Sequence, residues 1–200
     1  MSGPIQGAAF PIPGGTLIAV VGPSGAGKDS VIAYARERLS GEAAVHFVRR
    51  VITRPSVPSL EDHDTLSHAA FASAQAAGAF ALSWTSHGLS YGIPVATDHE
   101  IRSGRVAVAN LSRGALAALQ GRYANVLVAE ITASPEVLGR RLALRGRETA
   151  EEIAARLTRT VAENRSAGQR HVIDNSGALA EAGERFVALV LSGVRIPAAG

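Results

Sequence analysis

The sequence predicts an α/β fold in which a parallel sheet carries helices on both faces. Thr16 to Val21 form a short, largely apolar run that ends at Gly22, as expected for a parallel strand buried on both sides. Predicted strands and helices then alternate along the chain, which is the pattern of parallel sheets with crossover helices. A glycine-rich segment joins the first strand to the first helix, and such a junction offers backbone N–H groups to an anion.

The first predicted helix runs from Lys28 to Leu39. Val31, Ala35 and Leu39 share one face of this helix, so we expect that face to pack against the sheet. Gly41 follows as the residue that ends it. The positive end of the helix therefore faces the glycine-rich segment.

The remaining elements are predicted from apolar runs, helical periodicity and capping residues. Ser134 is a capping hydroxyl and Pro135 a first helical residue, which together mark the start of a helix. Further strands are predicted at 44–52, 79–86, 105–110, 125–131 and 170–174. Further helices are predicted at 69–77, 95–103, 115–120, 135–144, 150–164 and 178–191.

Length and composition describe one globular domain of 200 residues, 46% of them hydrophobic and 18% charged. The absence of cysteine excludes disulfides, thiolate metal sites and a cysteine nucleophile, and it fits a reducing cytoplasm. A formal charge of +3 gives little support for a nucleic-acid partner. No apolar run approaches the ~20 residues of a membrane span. Residues 1–15 are predicted to be a loose leader and 16–200 the domain.

The glycine-rich segment has the spacing of a phosphate-binding loop. Its lysine, Lys28, is the only lysine in the chain, and the other nineteen basic residues are arginine. A flexible ammonium reaches the β- and γ-phosphates of a nucleotide in a way that a planar guanidinium does not. The predicted nucleotide-binding residues are Gly22, Pro23, Ser24, Gly25, Ala26, Gly27, Lys28, Asp29 and Ser30.

Asp29 occupies the position where such loops usually carry the Ser or Thr that holds Mg²⁺. Two interpretations follow. Asp29 binds the metal through an anionic oxygen, directly or through water, with Ser30 beside it, or the loop is degenerate and binds no nucleotide. The strand–loop–helix order and the retained Lys28 favour the first interpretation.

The arginines are clustered, which suits a small polyanion better than a long duplex. One group lies at Arg49, Arg50 and Arg54, and another comprises Arg140, Arg141, Arg145 and Arg147. The alternative is that these arginines lie on solvated helix faces or complement a helix dipole.

The motifs and their order resemble the guanylate kinase superfamily from about residue 16 to 192. Within it, the chain is most similar to the ribose 1,5-bisphosphate phosphokinases of bacterial phosphonate breakdown. The motifs that carry this resemblance are GPSGAGKDS, RRVITRP, EDHDTLS, HGLSYGIP, ANLSRGAL and RGRE. The resemblance implies a P-loop kinase fold of guanylate kinase type, with an acceptor-binding subdomain at about 49–95 and an arginine-bearing lid at about 139–150.

The resemblance also implies a reaction and a set of site residues. ATP and ribose 1,5-bisphosphate would give ADP and 5-phosphoribosyl 1-diphosphate, with Mg²⁺ placed by Asp29. The implied catalytic residues are Lys28, Arg141, Arg145 and Arg156. The implied substrate-binding residues are Arg50, Arg54, Glu61, Asp64, Tyr91, Asn110 and Arg113. Glu61 and Asp64 would contact ribose hydroxyls or metal, unless they only solubilise a loop.

Two departures argue against a guanine-binding site. Thr65 follows Asp64 where guanylate kinases have a tyrosine, and Asn110 stands where they have an aspartate. Relative to guanylate kinases, this site lacks the carboxylate at Asn110 and has a cation, Arg113, nearby. Both changes suit an acceptor with two phosphates and no base. The alternative functions are a nucleoside monophosphate kinase and a non-catalytic interaction module. We expect a small sugar phosphate as substrate, no nucleic-acid or membrane partner, and a homodimer as one compatible assembly.

Overall fold

The computed structural model describes residues 11–54, 63–86, 88–119, 121–144 and 169–194. The elements are, in chain order, β1 (Thr16–Val21), α1 (Lys28–Arg38), β2 (Val45–Phe47), β3 (Arg50–Ile52), β4 (His63–Thr65), α2 (His68–Ala76), β5 (Phe80–Ser86), β6 (Leu89–Pro94), α3 (Ala96–Arg102), β7 (Val106–Asn110), a 3₁₀ turn (Arg113–Ala115), α4 (Leu116–Leu119), β8 (Val126–Thr132), α5 (Pro135–Leu144), β9 (Gln169–Asp174) and α6 (Leu179–Val194). No helix in these ranges is both long and apolar enough to cross a bilayer.

The larger sheet is parallel and has the strand order β2-β7-β1-β8-β9. Every residue of its central strand β1 is buried, because β1 pairs with β7 on one side and β8 on the other. One apolar cluster covers one face of the sheet and includes Val31 of α1 and Phe186 of α6. A second cluster covers the other face and includes Ile101 of α3 and Leu119 of α4. The predicted parallel sheet with helices on both faces is confirmed.

Helices α1 and α6 approach each other closely at Gly183. A methyl group at that position would lie 2.3 Å from a ring carbon of Tyr34, so a side chain there would displace the ring. The Tyr34 hydroxyl donates to Glu184 at 2.7 Å, and the Arg38 Nε donates to the same carboxylate oxygen at 2.9 Å. The phenol hydrogen bond, with help from Arg38, holds the pKa of Glu184 below its ordinary value. These contacts fix the helix that follows the glycine-rich loop.

The second sheet has the order β4-β3-β6-β5. Strand β6 runs antiparallel to both β3 and β5, whereas β3 and β4 are parallel. Helix α2 packs on this sheet through Phe71, whose ring stacks on Phe80 with centroids 4.6 Å apart. Gly92 leaves room for that ring, since a methyl group there would lie 2.6 Å from a ring carbon of Phe80.

Most predicted elements are confirmed, and there are three differences. The strand predicted at 44–52 is two strands, because β2 pairs with β7 while β3 joins the second sheet. Strands β4 and β6 were not predicted, since β4 has three residues and β6 contains Gly92 and Pro94, which weaken the strand pattern. Helix α6 extends three residues past the predicted end, to Val194. The helix predicted at 150–164 lies outside the described residues.

The segment just before β1 packs on the domain. Ile12 is buried, its N–H donates to the Arg122 carbonyl at 2.7 Å, and it forms an isolated bridge with Tyr123. Residues 11–15 belong to the predicted leader, and they are anchored at this point; residues 1–10 of that leader lie outside the described part of the chain.

A buried carboxylate ties α3 to the segment before β8. Asp98 is 3% exposed and accepts hydrogen bonds from the Arg122 guanidinium and from the Tyr123 hydroxyl, the latter at 2.8 Å. Burial and the adjacent carboxylate raise the pKa of Tyr123, so its phenol stays a donor. A buried charge of this kind is tolerated only while its partners are present.

Replacing Asp98 by alanine should lower the free energy of unfolding by about 3–5 kcal/mol, because the Arg122 guanidinium would remain buried without its counter-ion. Urea denaturation measures this loss. Glu100→Ala is the matched control on the same helix, since Glu100 pairs with the more exposed Arg105 and should cost about 1 kcal/mol or less. Equal losses for the two variants would contradict the assignment.

Candidate active site

The glycine-rich loop between β1 and α1 has a backbone path that its glycines permit. Gly22, Gly25 and Gly27 have φ angles of 147°, 86° and 83°, in the region that other residues rarely adopt. A methyl group on Gly22 would lie 2.1 Å from the Ile131 carbonyl oxygen, so the loop also passes too close to β8 for a side chain. The loop leads directly into α1, whose first residue is Lys28. This is the geometry of a phosphate-binding loop.

The Lys28 ammonium lies against the loop itself. Its Nζ donates to the Gly22 carbonyl at 2.9 Å and to the Pro23 carbonyl at 3.0 Å. The cation is thus held beside the backbone that would surround a phosphate, on a flexible stem that can extend toward one.

Arg141 and Asn175 hold the same loop from the other side. The Arg141 guanidinium of α5 donates to the Asn175 carbonyl at 3.0 Å and to the carbonyls of Gly25 and Ala26 at 3.4 and 3.5 Å. The Asn175 amide donates to the Ala26 carbonyl at 2.8 Å. Arg141 was predicted to be a catalytic residue of the lid, and the contacts found here connect it to the backbone of the loop.

Asn175 was missed by the sequence analysis. It is 3% exposed, and a methyl group on Gly27 would lie 2.5 Å from its amide nitrogen, so it packs directly on the loop. Asn175 directly follows the predicted strand at 170–174, and the carboxyl end of that strand lies at the same sheet edge as the loop. This position is the one feature of the sequence that could have indicated it.

Asp29, Asn110 and Arg50 meet where β7 ends. The Asn110 side-chain amide donates to the Asp29 carboxylate at 2.6 Å. The Arg50 guanidinium donates to the Asn110 backbone carbonyl at 3.3 Å. The structure therefore brings a predicted metal residue and two predicted acceptor residues together.

An aromatic stack extends this cluster into the second sheet. The Arg50 guanidinium lies 5.7 Å from the centroid of the Tyr91 ring, within cation–π range. The Tyr91 ring stacks on Trp84 with centroids 5.2 Å apart and planes 7° apart. The Trp84 indole supports Tyr91 from the neighbouring strand β5. Arg54 follows Thr53, whose backbone and hydroxyl are bonded to Ser90 on β6.

Arg113 pairs with a buried carboxylate that was not predicted. Its Nε lies 3.9 Å from Glu130, which is 7% exposed and also forms an ion pair with Arg170. Glu130 stands opposite Val21 at the end of β1, so this group lies beside the loop. In the sequence, the one indication of this residue was a glutamate that follows the apolar run from Val126 to Ala129 in a predicted strand.

The remaining predicted residues are dispersed. Asp64 lies on the outer strand β4, and Arg49 directly precedes β3. Their side chains form a 2.8 Å ion pair, and each is 56% exposed. Glu61, Arg145 and Arg156 lie outside the described residues.

The described residues fit a nucleotide phosphate and a divalent cation. The Asn110 and Asn175 side-chain oxygens are both buried without a hydrogen-bond partner within the described ranges, as expected beside a site that takes a polar ligand. No group of three or more His, Asp or Glu side chains suited to a metal occurs in these ranges. A divalent cation that is held largely by water and substrate phosphates needs only one or two protein ligands.

Comparison with known proteins identifies relatives over most of the chain. The chain is 52% identical over 181 residues to the ribose 1,5-bisphosphate phosphokinase PhnN of Chelativorans sp., covering 90% of this chain and 87% of the relative. It is 50% identical over 175 residues to the protein of that name from Brucella melitensis, covering 88% and 91%. No family model matches the chain.

The solved structure of guanylate kinase from Anaplasma phagocytophilum is similar in fold, with a TM-score of 0.65 at 15% sequence identity over 94% of this chain and 89% of that one. This similarity confirms the predicted guanylate kinase type of fold. Because the sequence identity with the two PhnN proteins extends over nearly the whole chain, the chain belongs to the ribose 1,5-bisphosphate phosphokinase family.

Proposed function

We propose that this kinase transfers the terminal phosphoryl group of ATP to ribose 1,5-bisphosphate, giving ADP and 5-phosphoribosyl 1-diphosphate. The observation that carries the proposal is the 52% identity, over 90% of the chain, to a protein named for that acceptor. The glycine-rich loop and Lys28 support it, because they form a phosphate-binding geometry at the start of α1.

The chemistry requires charge neutralisation more than proton removal. An oxygen of the acceptor phosphate forms the new bond to the γ-phosphorus, while the bond from that phosphorus to the bridging oxygen of ADP breaks. The acceptor phosphate is already ionised near neutral pH, since its second pKa is about 6, so no general base is needed. The barrier is the repulsion of two anions, and preorganised cations lower it.

Kinases of this fold use ATP with a divalent cation, and we assign the cation here to Mg²⁺ at Asp29, with Ser30 beside it. When bound, Mg²⁺ neutralises charge on the β- and γ-phosphate oxygens. The backbone N–H groups from Ser24 to Lys28 would surround the phosphates, and the Lys28 ammonium would leave the Gly22 and Pro23 carbonyls to reach them. Asn175 and Arg141 would keep the loop in its binding conformation.

The acceptor would bind between the loop and the second sheet. Arg50 and Tyr91 are joined by a cation–π contact, and Arg50 also bonds to the end of β7 near the loop. We assign Arg54 and Tyr91 to one acceptor phosphate, and Arg50 and Arg113 to the other. Glu61 and Asp64 are proposed to contact the ribose hydroxyls.

The lid residues complete the proposed site. Arg141, Arg145 and Arg156 would stabilise charge on the transferred group, as the arginine lid of the superfamily implies.

The Asn110 amide, which already donates to Asp29, is poorly suited to read guanine as an aspartate would. The relatives' names favour neither a nucleoside monophosphate kinase nor a non-catalytic module. A cytoplasmic location and a homodimer remain proposals.

An acceptor comparison tests the proposed function. With ATP and Mg²⁺, kcat/KM for ribose 1,5-bisphosphate should exceed that for GMP by roughly 10⁴-fold, because an acceptor that leaves buried polar groups unpaired is rejected. A coupled assay of ADP release measures both values. A higher value with GMP would identify a nucleoside monophosphate kinase, and no detectable ATP binding by calorimetry would identify a module.

Lys28→Arg should lower kcat about 10²–10³-fold, nearly as much as Lys28→Ala, because a planar guanidinium does not replace the flexible ammonium. Steady-state kinetics measure the loss, and circular dichroism checks that both variants fold. The control is Arg185→Ala, which removes an exposed cation on α6 and should leave kcat unchanged. A fully active Lys28→Arg enzyme would contradict the role given to the ammonium.

Tyr91→Leu should raise the acceptor KM about 10-fold while the ATP KM stays constant, because the ring that holds Arg50 is lost. Tyr91→Phe keeps the ring and separates its role from that of the hydroxyl. Trp84 is the only tryptophan in the chain and stacks on Tyr91, so its fluorescence should change when the acceptor binds the wild-type protein. An unchanged acceptor KM in Tyr91→Leu would remove Tyr91 from the acceptor site.

A further inference from the structure

A side-chain hydrogen bond connects Asn110, at the end of β7, with Asp29, the second residue of α1. Asn110 is the last residue of β7 and lies opposite Val20, close to where β1 enters the glycine-rich loop. Its side-chain nitrogen lies 2.6 Å from Asp29 Oδ1. Because an ionised carboxylate can only accept, the orientation of the amide is determined: its NH₂ faces Asp29 and its oxygen faces elsewhere.

The side-chain oxygen of Asn110 also points to a bound group at this site. It is buried and has no hydrogen-bond partner within the described ranges. A buried acceptor left in this state in a folded protein indicates a water, an ion or a ligand group that completes it. The oxygen is held in place by the bond that the same amide makes to Asp29.

The usual arrangement of a phosphate-binding loop differs from this one. In that arrangement a hydroxyl directly after the lysine and a carboxylate at the end of a strand hold Mg²⁺ together. Here the residue after Lys28 is an acid, Asp29, and the strand-end residue is a neutral amide, Asn110. The pair still carries one negative charge, but the charge has moved from the strand to the helix.

We propose that Asn110 is the positioning residue for Asp29, and that the two residues together are a transposed form of the hydroxyl–carboxylate pair. This inference rests on the proposed function. The hydrogen bond from the Asn110 amide fixes the Asp29 carboxylate in one rotamer. The Asn110 side-chain oxygen either coordinates the cation as a neutral ligand or accepts a hydrogen bond from a water bound to it. A second carboxylate at Asn110 would lie against Asp29 and repel it, which explains why an amide suits the strand end once the acid stands on α1.

The transposition predicts that the ordinary pair can be restored by two substitutions. The measurement is the affinity for Mn²⁺, in the presence of saturating AMPPNP, followed by electron paramagnetic resonance. Asp29→Thr and Asn110→Ala should each weaken Mn²⁺ binding about 10–100-fold, the second because Asp29 loses the group that orients it. Adding Asn110→Asp to Asp29→Thr should recover most of that loss, to within about 5-fold of wild type.

Two controls make the outcomes decisive. Asn125 also donates through its side-chain amide, to the Gly14 and Gly15 carbonyls, before β8 begins at the opposite sheet edge. Asp29→Thr with Asn125→Asp restores the same net charge away from the site and should give no recovery. Thermal melts without metal confirm that each variant is folded.

Failure of Asn110→Asp to improve a folded Asp29→Thr protein would overturn the transposition. Wild-type Mn²⁺ affinity in Asn110→Ala would overturn the positioning role, even if the double variant does not fold. Both results would leave the kinase assignment standing. A wild-type protein that binds no Mn²⁺ with AMPPNP would instead overturn the proposed function.

Discussion

The site depends on one constraint, which is that the carboxyl ends of parallel strands meet at one edge of a sheet. Strand β1 is buried between β7 and β8, so the point where it ends is fixed by pairing on both sides. Asn110, Glu130 and Asn175 lie in or directly after the strands around it, and each approaches the same edge. The glycine-rich loop is therefore surrounded by polar groups supplied by segments far apart in the sequence.

The cations of the site are held by the protein before any substrate arrives. Lys28 donates to two loop carbonyls, Arg141 donates to the loop and to Asn175, and Arg113 pairs with Glu130. Such contacts orient charged side chains in a partly buried environment. In the proposed mechanism Lys28 exchanges its two carbonyl contacts for the nucleotide phosphates. For an enzyme that brings two anions together, cations placed in advance would be the main catalytic contribution of its own residues.

The proposed acceptor side is built differently, on the second sheet. Strand β6 pairs with both β3 and β5, and this pairing puts Tyr91 between Arg50 and Trp84. Arg50 then reaches the Asn110 carbonyl at the end of the parallel sheet. The Arg50 guanidinium thus links the second sheet to the parallel sheet next to the loop, and in the proposed mechanism it links acceptor binding to the residues that place the cation.

The sequence alone determined the parallel sheet, the phosphate-binding loop with Lys28, and the family, because these depend on local periodicity and on contiguous motifs. It also indicated Asp29 through the loop motif, and Arg50 and Asn110 through the family resemblance. Tertiary structure decided their partners. The split of 44–52 into β2 and β3, the Asn110–Asp29 bond, and the contacts of Glu130 and Asn175 all depend on strand pairing between distant segments. No local pattern encodes such pairing, since a residue's neighbours across a sheet are chosen by the packing of the whole core.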